Sequence, residues 1–312
     1  MPCSSRNGRR PTAGRAERLP TIAAVKIHND GLDLNLMIEG EEGRPPVLLL
    51  HGIISSARTW DWLVPRIADE HRVIRLDFRG HGESERAPDR YQMADYVTDA
   101  IAACEQVAGG PVAVIGHSLG GATAAALAQR RPDLVRAALL EDAPLADPAD
   151  REALRTDSGE ENALAEAFKL MRQTIPAIQA SGVSTADFAQ TLSVAPSAAG
   201  ATFGELLLAD GVETMAYGML HVDATVLDRV VSGTMAPAFD PGAPITVPVT
   251  AVAADPASPD AVTQPSDLER LGATSPSVET VTIAGAGHLI HDQQDAREPF
   301  WQVVERFLRA HR

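Results

Sequence analysis

The chain has 312 residues, enough for one large α/β domain or two small ones with a substantial core. Hydrophobic residues make up 45% and charged residues 22%, which excludes wholesale disorder and collagen-like structure. A net charge of −15 argues against a face that tracks nucleic-acid phosphates, because such a face needs clustered Lys and Arg.

The amino-terminal stretch departs from that balance: Arg6, Arg9, Arg10, Arg15 and Arg18 stand against one acid, Glu17. No apolar run follows Arg9-Arg10, so residues 1–20 read as a disordered basic tail rather than a signal peptide. From residue 21 the chain alternates strand-like and helix-like segments. Thr21–His28 and Leu32–Glu39 are β-type runs joined by the turn Asn29-Asp30-Gly31. Pro46–Leu50 is a continuous apolar run, as for a strand buried on both faces. Trp60–Asp69 has helical spacing, Arg72–Asp77 reads as a strand and Tyr91–Ala108 as a helix. Val112–Ile115 is a strand, Leu119–Arg130 an Ala-rich helix and Leu134–Leu140 a strand. Residues 145–240 carry amphipathic patterns such as Asn162–Gln173 and Thr185–Leu192 and read as mostly helical. Strands return at Val247–Ala253 and Val278–Ile283, with helices at Pro265–Leu271 and Asp292–His311. Strands alternating with helices predict a parallel sheet with right-handed crossovers. The expected organisation is an α/β core of residues 21–144 and 241–312 around a helical insertion at 145–240.

No stretch approaches the roughly 18 apolar residues a membrane span needs, so no membrane partner is expected. Cys3 and Cys104 make neither a disulfide framework nor a zinc site, and a reducing cytoplasm is the expected location. Oligomeric state is open at this level, a homo-oligomer included.

The most informative stretch is Gly116-His117-Ser118-Leu119-Gly120, between a buried strand and an Ala-rich helix. A nucleophile on a sharp strand-to-helix turn crowds the backbone, and small residues two positions to either side relieve the crowding. The turn lifts the Ser118 hydroxyl above the sheet. It also aims the free N–H groups of the helix N-terminus at negative charge forming nearby.

Further motifs stand in order along the chain: Leu50-His51-Gly52-Ile53, Asp77-Phe78-Arg79-Gly80-His81-Gly82-Glu83-Ser84, the Ser118 turn, and Gly285-Ala286-Gly287-His288. With these the chain resembles the α/β-hydrolase fold superfamily, in its serine esterase and lactonase branch. The resemblance covers roughly residues 21–312 apart from 145–240. It implies the fold class: a mostly parallel central sheet flanked by helices, with a helical cap over the site. It also implies that His288 is the base that a serine hydroxyl requires near pH 7. His291, three residues on, is the fallback. His288 and His291 together suggest a metal pair, but no further ligand has a helpful spacing, so no metal is expected.

A carboxylate should fix the imidazole tautomer. The family norm places it after the strand Val247–Ala253, which points to Asp255. Counting back from His288 points to Asp260 instead. Some relatives take the acid from the earlier strand, which here ends at Glu141 and Asp142. One of these acids completes the triad; an Asp at a strand end is also a common turn former. The oxyanion hole is expected from the backbone N–H groups of Ile53 and Leu119. His51, His81 and His117 sit in motif turns, where they hold backbone geometry. Trp60 and Trp62 follow the oxyanion loop and are mostly structural.

Epoxide hydrolases and haloalkane dehalogenases of this fold carry Asp at the elbow, whereas this chain carries Ser118. That points to acyl transfer on an ester, thioester or lactone, through an acyl-enzyme and with no cofactor. The same triad also serves perhydrolases, C–C bond hydrolases and acyltransferases, and a non-catalytic ligand receptor is a remote alternative. Phe168, Met171, Phe188, Leu192, Phe203, Leu207, Met215, Tyr217 and Met219 in the insertion suggest, as a group, a hydrophobic small-molecule substrate.

Overall fold

In a computed structural model, residues 23–146, 163–197 and 200–312 are described. The expected basic tail (1–20) and residues 147–162 of the insertion lie outside them. Eight strands form one sheet: β1 Ala23–Asn29, β2 Leu32–Glu39, β3 Pro46–Leu50, β4 Arg72–Leu76, β5 Val112–His117, β6 Val135–Glu141, β7 Val249–Ala253 and β8 Val278–Thr282. Their order is β1-β2-β4-β3-β5-β6-β7-β8. The first two pairings, β1 with β2 and β2 with β4, are antiparallel; all the others are parallel.

The alternation of side chains along the strands divides the core in two. Leu48, Leu50, Ile74, Leu76, Val112 and Val114 face α2 (Met93–Ala103) and α3 (Leu119–Arg130). Their neighbours Val47, Leu49, Val73, Ala113 and Ile115 face α1 (Val64–Ile67) and α10 (Arg297–Ala310). Helices therefore cover both faces, and this is why the central strands β3 and β5 are continuous apolar runs and not in alternation.

Three helical segments differ from the sequence expectation. Trp60–Asp69 is not continuous: a 3-10 turn at Ala57–Trp60 is followed by the single turn of α1, with Pro65 in its first turn. Proline has no N–H to give to a preceding turn, so it starts a helix but does not extend one. The helix expected over Tyr91–Ala108 is α2, continued by a wide π-type turn at Cys104–Ala108 that stops at Gly109. The last helix begins at Arg297 and not at Asp292. There Gln293 is extended, accepts the Gly287 N–H at 2.7 Å and bridges to Leu207.

Between β6 and β7 the described chain carries the helices α4 Ala163–Ala180, α5 Thr185–Ser193, α6 Phe203–Leu206, α7 Ala209–Leu220 and α8 Asp228–Val231, and α9 Pro265–Thr274 joins β7 to β8. Helix α7 rests on the core at two points. A Cβ at Gly211 would lie 2.9 Å from the Asp292 Cβ, and one at Gly218 would lie 2.5 Å from the Ile54 carbonyl oxygen. Positions seven apart share a helix face, so α7 touches both loops through that face. The Leu208 N–H also donates to the Asp292 carbonyl at 2.9 Å, and Tyr217 donates to Glu83 at 2.6 Å.

Candidate active site

Ser118 occupies the turn between β5 and α3, with φ 52° and ψ −115°. A non-glycine residue there carries about 1–3 kcal/mol of backbone strain, which surrounding contacts must maintain. The neighbouring glycines make the turn feasible. A Cβ on Gly116 would sit 2.2 Å from the Gly120 carbonyl oxygen, and one on Gly120 would sit 2.3 Å from the Leu50 carbonyl oxygen. The close packing of β3, β5 and α3 thus requires both positions to lack a side chain.

His288 reaches Ser118 from the loop after β8. Its Nδ1–H donates to Asp142 Oδ2 at 2.7 Å, and its Nε2 lies 3.0 Å from Ser118 Oγ. A carboxylate only accepts, so Nδ1 carries the proton and Nε2 is free to accept from the hydroxyl. Ser118 and His288 are both buried, at 8% and 7% exposure, so the site is sheltered from bulk water.

Asp142 follows β6 directly, with φ 38°. Its carboxylate is fully buried, and three backbone amides donate to it: Ala254 at 3.3 Å, Val262 at 3.0 Å and Thr263 at 3.0 Å. Four donors offset the desolvation of the charge. The other carboxylates are engaged elsewhere. Asp255 accepts the N–H of Gly285 at 2.8 Å and of Ala257 at 2.9 Å, and these bonds hold its carboxyl below the usual range. It braces the His288 loop without contacting the imidazole. Asp260 accepts from Ser258 Oγ at 2.6 Å and lies against Gly287. The strand-end rule and the residue count both miss the imidazole; the earlier strand reaches it. His291 is not a second base for Ser118, because its Nδ1 bonds to Glu141 at 2.8 Å and its Nε2 to Thr59 Oγ1 at 2.8 Å.

Leu119 is the first residue of α3, so its N–H has no partner within the helix. Ile53 stands beside the serine turn, since a Cβ on the preceding Gly52 would be 2.8 Å from His117 Nδ1 and 3.5 Å from Ser118 Cβ. Two imidazoles hold the loop of Ile53 in place. His51 donates from Nδ1 to the Gly52 carbonyl at 2.7 Å and accepts the Phe78 N–H at 3.1 Å. His81 donates to the Arg79 carbonyl at 3.0 Å and accepts the Ile54 N–H at 3.3 Å. Each needs one bare nitrogen, so both are neutral. Burial agrees, lowering His51 to about 4 and His81 to about 3. Asp77 braces the same loop from below, accepting from the Ala57 N–H at 2.7 Å and Asn35 Nδ2 at 2.9 Å.

His117, Glu141 and His291 bring one donor atom each within 4.8 Å of one another. Both Glu141 oxygens already face His291 Nδ1, and His117 donates from Nε2 to the His288 carbonyl at 3.0 Å. Hydrogen bonds account for this cluster, and a metal would have to break them. Of the apolar residues of the insertion, Phe188, Leu192, Leu207, Tyr217 and Met219 are buried, whereas Phe168, Met171, Phe203 and Met215 are partly buried against the core. Trp60 is fully buried; Trp62 is half-buried and lines a cavity of about 210 Å³ with Arg58, Thr59, Tyr217 and Arg297.

A hydroxyl, an imidazole and a carboxylate in series, on a strained turn above a mostly parallel sheet, define the architecture of this site. The family model for the alpha/beta hydrolase fold matches residues 45–295, and the chain belongs to that family. A 2-(acetamidomethylene)succinate hydrolase of Mesorhizobium japonicum is 35% identical over 103 residues, covering 33% of this chain and 37% of that protein. Human epoxide hydrolase 4 is 32% identical over 119 residues, covering 38% of this chain and 33% of that protein. The chain thus spans little more than a third of the length of these relatives. Among solved structures, an enol-lactonase of Burkholderia xenovorans LB400 aligns with a TM-score of 0.64 at 21% identity, over 91% of this chain and 99% of that one. Among the described residues no helix is long and apolar enough to cross a membrane.

Proposed function

We propose that the chain is a serine hydrolase that cleaves a carboxylic ester or lactone of a hydrophobic small molecule. One observation carries the reading: Ser118 Oγ lies 3.0 Å from His288 Nε2, whose opposite nitrogen donates to Asp142 at 2.7 Å. In this mechanism Ser118 Oγ bonds to the carbonyl carbon as its proton passes to Nε2. Asp142 stabilises the imidazolium. The N–H groups of Ile53 and Leu119 receive the negative charge on the carbonyl oxygen, each worth about 10²–10³ in rate. The imidazolium then protonates the departing alkoxide as the carbonyl re-forms. A water adds to the acyl-enzyme by the reverse proton path, releasing the acid and restoring Ser118. In a lactone the alkoxide stays tethered to the acyl group, and one hydroxy acid leaves.

Similarity to a succinate-derivative hydrolase supports hydrolytic chemistry. Similarity to an epoxide hydrolase does not extend to an aspartate elbow, because position 118 is Ser. Incubation with a fluorophosphonate probe should label wild type at Ser118 and leave Ser118→Ala unlabelled. A panel of 4-nitrophenyl esters and lactones of graded size should be turned over only by wild type. Equal turnover by Ser118→Ala would remove this serine from the mechanism.

A further inference from the structure

We propose that Glu141, His291 and Thr59 form a second hydroxyl–imidazole–carboxylate relay that positions the first; it rests on the serine-hydrolase reading above. Its members are positioning residues, with no contact to the reacting atoms. His291 Nδ1 donates to Glu141 Oε1 at 2.8 Å, and its backbone N–H donates to the same oxygen at 2.9 Å. On its other side, His291 Nε2 lies 2.8 Å from Thr59 Oγ1. All three residues are buried, and Trp60 stacks on the His291 ring at 4.7 Å.

Each member lies close in sequence to an element of the reactive site. Glu141 immediately precedes Asp142 on β6. His291 is three residues after His288, in the 3-10 turn Ile290–Asp292. Thr59 lies on the turn Ala57–Trp60, which follows the oxyanion loop of Ile53. His117, immediately before Ser118, meets the His291 ring edge-on at 5.0 Å and donates to the His288 carbonyl. The second relay therefore ties together the chain segments that carry acid, base and oxyanion donor.

Stability alone gives a weak reason for such a cluster. A buried charged or polar pair is often matched or exceeded in stability by well-packed apolar side chains of the same volume. Burial pushes the Glu141 carboxyl up, whereas Glu141 and Asp292 hold the His291 imidazole up against its own burial. What the cluster supplies is directional: two bonds to one imidazole and one to its backbone fix the base loop in both rotation and height. A displacement of about 1 Å in such a loop can cost about 10² in rate.

The test measures fluorophosphonate labelling of Ser118 in the full chain, separated into KI and the maximal rate kinact. Thr59→Val keeps the volume and removes the hydroxyl, and Glu141→Gln keeps the shape and removes the charge. Both should lower kinact, by about 10-fold and about 100-fold, with KI unchanged. Thr59→Ser, which returns the hydroxyl but leaves a methyl-sized gap, should recover most of the loss. If folded Thr59→Val and Thr59→Ser both label at the wild-type rate, the cluster is only structural and the proposal fails. Should Glu141→Gln not fold, the Thr59 pair decides the matter alone. A wild type that does not label at all overturns the serine-hydrolase reading, and this inference with it.

Discussion

Replacing Asp142 by Asn should separate the acid's electrostatic role from its space-filling one. The carboxylate serves four donors with two oxygens: Ala254 and Thr263 on Oδ1, Val262 and His288 on Oδ2. Asn has one oxygen. If that oxygen keeps the Ala254 and Thr263 amides, the NH₂ group meets the Val262 N–H, and that donor loses its acceptor. The opposite orientation strands two amides and is worse. One orphaned buried N–H costs about 1–3 kcal/mol. The NH₂ group also donates toward His288 Nδ1, so the imidazole must carry its proton on Nε2. The Ser118 hydroxyl then has nowhere to send its own. The expected loss in kcat is about 10⁴-fold, the size associated with a triad imidazole in the wrong tautomer. Tm should fall by several degrees, at roughly 2–4 °C for each kcal/mol. Turnover of 4-nitrophenyl butyrate and thermal melting by circular dichroism measure the two effects. Asp255→Asn is the comparison: its carboxylate braces the His288 loop without touching the imidazole, so its loss in kcat should be far smaller than that of Asp142→Asn. The reasoning is refuted if Asp142→Asn keeps its rate, or if Asp255→Asn or Asp260→Asn reproduces the loss.

Two other outcomes follow from the same geometry. His51 and His81 are neutral in the fold but titrate near 6.5 when unfolded. The unfolded chain therefore binds more protons below that pH, and stability should be full above about pH 6.5 and decline as pH falls toward 4; melts from pH 7 to 4 should show a shallower decline in His51→Gln, and identical slopes would contradict the assignment. Gly120→Ala would place a Cβ 2.3 Å from the Leu50 carbonyl oxygen, a backbone atom that cannot rotate away; a loss of at least about 1–3 kcal/mol is expected in denaturant titration, and an unchanged midpoint would show that β3 can shift.

The middle of the sheet is readable from sequence because its central strands are short apolar runs buried on both faces, and Val112–His117 and Pro46–Leu50 carry that signature directly. Ser118 was readable for a related reason: its glycines are dictated by close backbone approach, and that requirement is written into the chain. The acid was not. Asp142, Asp255 and Asp260 all stand at turns, where Asp serves as a local cap, and no local pattern distinguishes a carboxylate that receives three remote amides from one that caps its own loop. In the sequence Glu141 and His291 stand out only as alternatives for the acid and the base or as part of a metal pair, not as partners of each other. Their pairing depends on β6 running beside β5 and on the loop after β8 folding back, contacts 150 residues apart in the chain. The late start of α10 is hidden too, because the apolar periodicity of 297–310 extends upstream without announcing that Gln293 is paired with Leu207 and Gly287.

Gly211 and Gly218 give the helical insertion two footings, one on Asp292, four residues after His288, and one on Ile54 and Ser55. Insertion and sheet-top loops are therefore mechanically joined. An engineer who transplants the insertion of another relative must bring side-chain-free residues at both footings. Otherwise the new helix will push both loops aside as it docks.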